Sequence, residues 1–189
     1  MAKTVIAFSS TPSHRGNSDI LAEHILQGAA ESGASVEKVR LHGLTISPCT
    51  ACSACQVSVE EPCVINDDVL ALLEKVRAAD CLVFASPIYF ASVNAQMKAF
   101  LDRFISLFGD NDFTTLQGKQ VALAFAYGAP DPLDSGVINA IRMFQDACRF
   151  LGMHLKGVVH AVAHEAGAVD KLPGVLADAV ALGRKLVQS

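Results

Sequence analysis

Short apolar runs and longer periodic stretches take turns along this chain. Lys3 to Ser9 is apolar and β-branched and ends in polar residues, the pattern of a buried strand. Ser18 to Ser32 sets Ile20, Leu21, Ile25, Leu26 and Ala29 at helical spacing, with Gly33 as its stop. Ser35 to Leu41 alternates loosely through Val36, Val39 and Leu41 and reads as an edge strand. Asn66 or Asp67 is placed to cap a helix reaching to about Ala79, with Val69, Leu70, Leu72, Leu73 and Val76 inward. Cys81 to Ala85 has the composition of a central strand, Asn94 to Phe108 that of an amphipathic helix, and Gln120 to Phe125 that of another buried strand. Gly136 to Leu151 is helical and ends at Gly152, Val158 to Val162 is a fifth strand, and Val169 to Val187 a closing helix.

This alternation predicts an α/β protein, a parallel sheet covered by helices on both faces. Right-handed crossovers leave few topologies. Five strands suit the flavodoxin-like order 2-1-3-4-5 in a three-layer α/β/α sandwich, whose ligand crevice lies at the carboxyl ends of the strands. The chain's 189 residues suit one compact domain over residues 1–189, with no internal repeat, low-complexity tract or linker. The longest irregular stretch is the cysteine-containing loop at 45–66, and loops of that length in a compact domain usually carry function or are disordered.

Composition narrows the classes. Half the residues are apolar, 18% are charged and the net charge is −4. No basic patch stands out, so nucleic acid is not an expected partner. The apolar run at the N-terminus is too short for a signal peptide, and no segment approaches the ~20 apolar residues of a membrane span. A soluble, cytoplasmic protein without membrane association is expected, where clustered cysteines are more often metal ligands or redox thiols than disulfides.

Three loops end strands one, three and four. The first, Ser9 to Ser18, opens the first helix, so unpaired N–H groups and the positive end of the helix dipole face the crevice. Ser10, Thr11, Ser13, Asn17 and Ser18 add short donors that suit a monophosphate. The loop carries neither Gly-x-x-x-x-Gly-Lys-Ser/Thr nor Gly-x-Gly-x-x-Gly. Its plain alternative is a Ser-rich connection with Ser18 as the helix cap. The second loop, Ser86 to Asn94, sets Tyr89 and Phe90 at the crevice mouth, where a flat heterocycle would find stacking and backbone amides. The third, Ala126 to Pro132, offers Tyr127 and a close approach at Gly128.

The stretches Thr11-Pro-Ser-His-Arg-Gly-Asn-Ser18, Ser86-Pro-Ile-Tyr-Phe-Ala-Ser, Gln96-Met-Lys-Ala-Phe-Leu-Asp-Arg103 and Cys63-Val-Ile-Asn-Asp-Asp68 resemble the NADPH-dependent FMN reductases of the flavodoxin-like superfamily. Within that group the chain is most similar to the iron–sulfur flavoproteins and their cluster-free relatives. The resemblance implies FMN, with its phosphate among Ser10, Thr11, Ser13, Arg15, Asn17 and Ser18. It puts the isoalloxazine against Pro87, Ile88, Tyr89, Phe90 and Ser92, with Ala126, Tyr127 and Gly128 on the other side. Family members commonly open the first loop with Gly-Ser-Pro-Arg. Here Ser10, Thr11, Pro12 and Ser13 match it, the arginine is missing, and Arg15 stands two positions on.

Cys49-x2-Cys52-x2-Cys55 repeats the spacing of the first three ferredoxin ligands, and Cys63 follows. The resemblance implies a [4Fe–4S] cluster on Cys49, Cys52, Cys55 and Cys63. Spacing alone also admits unmetallated thiols, tetrahedral zinc, or a redox or disulfide pair. Cys81 and Cys148 read as core residues. His160 and His164 lie near the end of the fifth strand, close enough in sequence to approach a flavin edge, although structural histidines are the plainer reading of all six. Asp67, Asp68, Asp131 and Asp134 read as cap and turn residues.

The expectation is an FMN oxidoreductase. NAD(P)H or a reduced ferredoxin-type carrier would supply electrons, and a quinone, free flavin or other small acceptor would take them. No protein residue is assigned as catalytic. The alternative is an electron carrier passing electrons between cluster and FMN. Relatives imply a homodimer or homotetramer.

Overall fold

A computed structural model describes residues 2–57, 63–108 and 114–188. The strands are β1 (Thr4–Ser9), β2 (Ser35–Arg40), β3 (Cys81–Tyr89), β4 (Ser92–Val93), β5 (Gln120–Tyr127) and β6 (His154–Val162). The helices are α1 (Asn17–Glu31), α2 (Val69–Ala78), α3 (Ala95–Asp102), α4 (Pro132–Ser135), α5 (Val137–Phe150) and α6 (Pro173–Val187). The parallel strands lie in the order β2-β1-β3-β5-β6, a flavodoxin-like α/β arrangement with β2 at one edge.

The sheet has six strands rather than the expected five. The extra one, β4, arises because β3 does not stop at Ala85. It runs on through Pro87, paired with Ala126, and folds back so that Ile88 and Tyr89 face Val93 and Ser92. Pro87 reads as a strand stop, yet a proline in a strand loses only its own N–H donation. β6 begins well before Val158, because a register shift around Lys156 and Gly157 hides its period of two. The helix expected over Asn94 to Phe108 divides into α3 and a 3-10 turn at Arg103–Leu107. The closing helix likewise divides into a 3-10 turn at Ala168–Lys171 and α6.

The two sheet faces differ in side-chain size. Ile6, Phe8, Leu82, Phe84, Leu123 and Phe125 point to one face, where Phe100, Phe104 and Phe144 meet them. Phe8 and Phe100 have centroids 4.8 Å apart, and Phe84 and Phe144 5.1 Å. The other face offers Ala7, Ala85, Ala122 and Ala124 to α1 and α6. Those two helices touch backbone to backbone. A Cβ on Gly183 would lie 1.9 Å from the Ile25 carbonyl oxygen, and one on Gly28 1.9 Å from that of Val180. Cys81 and Cys148 are buried, and burial pushes both thiols up to about 11. No helix among the described residues is long and apolar enough to cross a membrane.

Candidate functional site

At the carboxyl ends of β1, β3, β5 and β6 lies a cavity of about 530 Å³. The first loop enters it through Thr11, Ser13, Gly16, Asn17 and Ser18, the second through Pro87, Ile88 and Tyr89, and the third through Ala126, Tyr127 and Gly128. A fourth loop, after β6, closes the ring with Ala163, His164 and Ala166.

α1 starts at Asn17 with Gly16 as its N-cap, two residues before the expected cap Ser18, and no side chain caps it. Its first N–H groups therefore lack the usual side-chain acceptor. Gly16 is required: a Cβ there would sit 2.3 Å from Thr11 Oγ1. Ser18 is 1% exposed, and its hydroxyl is buried without a hydrogen-bond partner. A buried, unpaired hydroxyl costs free energy unless something enters to satisfy it. An uncapped helix start, an orphaned hydroxyl and the positive end of the dipole together fit a small oxyanion.

Side chains bind the loops to one another. Ser10 is fully buried and donates from both N and Oγ to Ala85 O, at 2.9 and 3.2 Å. Asn94 Nδ2 donates to Ser10 O at 2.7 Å, while Asn94 Oδ1 accepts from Met97 N and caps α3. Asn17 Nδ2 donates to Ala163 O and Glu165 O at 3.0 and 2.8 Å, and its Oδ1 accepts from Val169 N at 3.1 Å. That amide is thus committed to the fourth loop. Arg15 pairs with Asp170 at 2.5 Å, and its carbonyl accepts from Gly167 N. Phe90 is fully exposed at the tip of the β3–β4 hairpin. Tyr127 is buried, and its hydroxyl lies 3.0 Å from His160 Nδ1. Burial raises the phenol and lowers the imidazole, so both groups are neutral near pH 7.

The cysteine loop builds a second cavity of about 480 Å³, lined by Cys49, Cys52, Cys55 and Cys63 together with Ile65, Arg103 and Ile105. The Arg103 and Asp67 side chains, 1% and 2% exposed, anchor it. Arg103 Nη1 donates to Asp67 Oδ2 at 2.8 Å and to Ser47 O at 3.0 Å, and Nη2 to Ile65 O at 3.1 Å. One guanidinium thereby holds both ends of the loop. Ala51 N donates to Cys49 Sγ at 3.4 Å. Burial opposes the charged form of Arg103, but the Asp67 carboxylate, helped by Cys63, outweighs it and holds the guanidinium above its ordinary value. The Cys52 thiol is lowered by hydrogen bonds from the Ala54 backbone and the Thr50 side chain. Among the described residues no three cysteine, histidine or carboxylate side chains converge as a metal-binding group.

The five non-glycine residues with left-handed backbone among those described are Arg15, Ala51, Ser53, Phe90 and Ala91. All lie in the first loop, the hairpin or the cysteine loop. Such conformations persist only where the surroundings hold them, and they gather at binding sites.

The sequence profile of the NADPH-dependent FMN reductases matches residues 4–167. The chain belongs to that family. An iron–sulfur flavoprotein of Methanocaldococcus jannaschii is 37% identical over 99 residues, 52% of this chain and 50% of that protein. The match thus spans half the length of that relative. YwqN of Bacillus subtilis, provisionally named an NAD(P)H-dependent FMN-containing oxidoreductase, is 27% identical over 82% of each chain. Among solved structures, an NAD(P)H:quinone oxidoreductase from Methanothermobacter marburgensis superposes with a TM-score of 0.75 at 18% identity, covering 100% of this chain and 99% of that one. This last likeness shows a shared fold.

Of the residues singled out in this chain from sequence, Thr11, Ser13, Asn17, Ser18, Pro87, Ile88, Tyr89, Ala126, Tyr127 and Gly128 line the first cavity. Ser10, Arg15, Phe90 and Ser92 lie outside that lining, as loop ties or hairpin residues. Gly16, Ala163 and Ala166 carry no chemical signal in the sequence. His164 had one, its place at the end of the fifth strand; in the structure a Cβ on Gly128 would lie 2.7 Å from its Nδ1.

Proposed function

We propose that this protein is an FMN-dependent oxidoreductase that takes electrons from NAD(P)H and delivers them to a small acceptor such as a quinone or free flavin. The observation that carries the reading is the first cavity, where the uncapped start of α1, with Ser18 and its orphaned hydroxyl, borders the same space as Tyr89, Ala126, Tyr127 and Gly128. The phosphate would be held by Thr11, Ser13 and Ser18 and by the N–H groups opening α1. The ring system would lie between Pro87–Tyr89 and Ala126–Gly128. FMN supplies the hydride and electron chemistry when bound. The protein's share is to bind and orient it, with Gly128 letting the backbone come close and the fourth loop walling the cavity from water. Anaerobic titration of the FMN-loaded protein with NADPH and NADH tests this. Bleaching of the flavin band and its return on adding a quinone are expected; no bleaching with either nicotinamide refutes the reading.

A second reading is that the four cysteines hold an iron–sulfur cluster, served by a ferredoxin-type donor. It is favoured by their common cavity, by the left-handed Ala51 and Ser53 between them, and by the N–H donated to Cys49 Sγ. The thiolate donor set fits iron, and the loop would have to draw the sulfurs together on binding. Iron and sulfide assays on protein prepared without oxygen decide it: about four of each per chain support it, and none refutes it.

A further inference from the structure

Four of the six buried side-chain polar atoms without a partner among the described residues are Ser9 Oγ, Ser18 Oγ, Asp19 Oδ1 and Arg40 Nε. They gather where β1 ends, α1 begins and β2 ends; Ser9 and Arg40 are register neighbours across the β1–β2 pair. The β2 edge strand has an unforeseen basic face. Lys38 and Arg40, two residues apart, both turn toward α1. Lys38 takes Asp19 at 2.8 Å and Glu23 at 2.5 Å, cancelling the acidic charge in the first turn of α1 that would repel an anion. Arg40 Nη2 reaches the carbonyls of Thr11 and Ser13 at 3.5 and 3.3 Å.

Those contacts are long, and the buried Nε has no acceptor, so the guanidinium is under-satisfied next to the loop it braces. Two carbonyls drawn onto a cation present their negative ends to it and not to an incoming anion. A peptide is planar, so turning Ser13 C=O toward β2 turns the His14 N–H away from it. Arg15 is ion-paired with Asp170 and does not line the cavity.

We infer that Arg40, acting through the Thr11 and Ser13 carbonyls, is the positioning residue that sets the first loop for a phosphate monoester. The inference rests on the FMN reading above and adds the residue that tunes its phosphate end.

The test compares FMN with riboflavin, which lacks the phosphate, by quenching of flavin fluorescence on titration with apoprotein. The Arg40→Met and Arg40→Gln variants are each expected to weaken FMN binding by roughly tenfold while riboflavin binding stays constant, since hydrogen bonds to charged groups are worth more than neutral ones. Arg40→Lys restores part of the loss. A purely structural role would weaken both ligands alike. Circular dichroism checks each fold, and the glutamine variant, which keeps a carbonyl-binding amide, decides the case if the methionine variant does not fold. An FMN-to-riboflavin affinity ratio equal to that of the wild type in the folded variants overturns the inference and leaves the FMN reading intact. Wild-type protein that binds neither flavin overturns the FMN reading itself.

Discussion

Replacing Asp67 by asparagine isolates the anchor of the cysteine loop. In the wild type the Asp67 and Arg103 side chains are 2% and 1% exposed and meet at 2.8 Å. Asp67 Oδ2 also accepts from Ser47 N at 2.9 Å, and Oδ1 from Val69 N at 3.1 Å. The substitution removes the charge and turns one acceptor into a donor facing Arg103 and the Ser47 N–H. Arg103 then stays buried without a carboxylate, facing the Ser47 and Ile65 carbonyls. Removing one partner of a buried pair costs about 3–5 kcal/mol, a large share of the roughly 5–15 kcal/mol that holds a domain together. At about 2–4 °C per kcal/mol for a chain of this size, the melting temperature should fall by roughly 6–20 °C. Urea unfolding followed by circular dichroism gives the free energy. Reaction of Cys55, 8% exposed in the native fold, with a thiol reagent reports whether the loop opens first. The double variant Asp67→Asn, Arg103→Met should regain part of the loss, because no charge is then stranded. A single variant costing under ~1 kcal/mol, or a double variant no more stable than the single, refutes the reasoning. Acid gives the same test without mutation. Burial pushes the Asp67 carboxyl up, but hydrogen bonds from Arg103 and the Ser47 and Val69 backbone pull it below its ordinary value. The stabilisation is therefore complete above the unfolded carboxyl pKa of about 3.9 and is lost as pH falls through the lower folded value, a dependence the asparagine variant lacks.

Ser18→Ala should leave the apoprotein's stability within about 0.5 kcal/mol, since its hydroxyl has no partner to lose, yet weaken FMN roughly tenfold; equal effects on both measurements would refute the assignment. Gly183→Ala forces a Cβ onto the Ile25 carbonyl and should cost about 2 kcal/mol or more by parting α1 from α6, read as a lower urea midpoint. Wild-type stability should rise with pH up to about 6.5, because the unfolded chain binds the proton that half-buried His160, lowered by its partial burial, declines. His160→Gln should flatten that slope, and an unchanged slope in urea titrations at pH 5.5 and 7.5 (about one unit either side) would assign the effect elsewhere.

Local pattern alone determined the order of strands and helices, the parallel sheet and the three loops at its carboxyl edge. Strand and helix periods are short-range properties, and right-handed crossovers convert their order into topology. For the same reason the polar residues Thr11, Ser13 and Ser18 and the backbone of Gly128 are assigned to one crevice by sequence, and all four residues line it. Only the tertiary structure decided the rest. The fourth loop joins the cavity through Asn17 bonds that link residues far apart in the chain, and such contacts leave no local pattern. Arg103 and Asp67, an ordinary arginine within an expected helix and a cap residue in the sequence, become a buried pair because α3 ends against the start of α2. Arg40 reads as an edge-strand charge until the β1–β2 register brings it beside Ser9 and the Thr11–Ser13 turn. Periodicity says which residues turn inward; which of them meet is settled by how the elements pack, since that free energy is distributed over contacts no window of the chain contains.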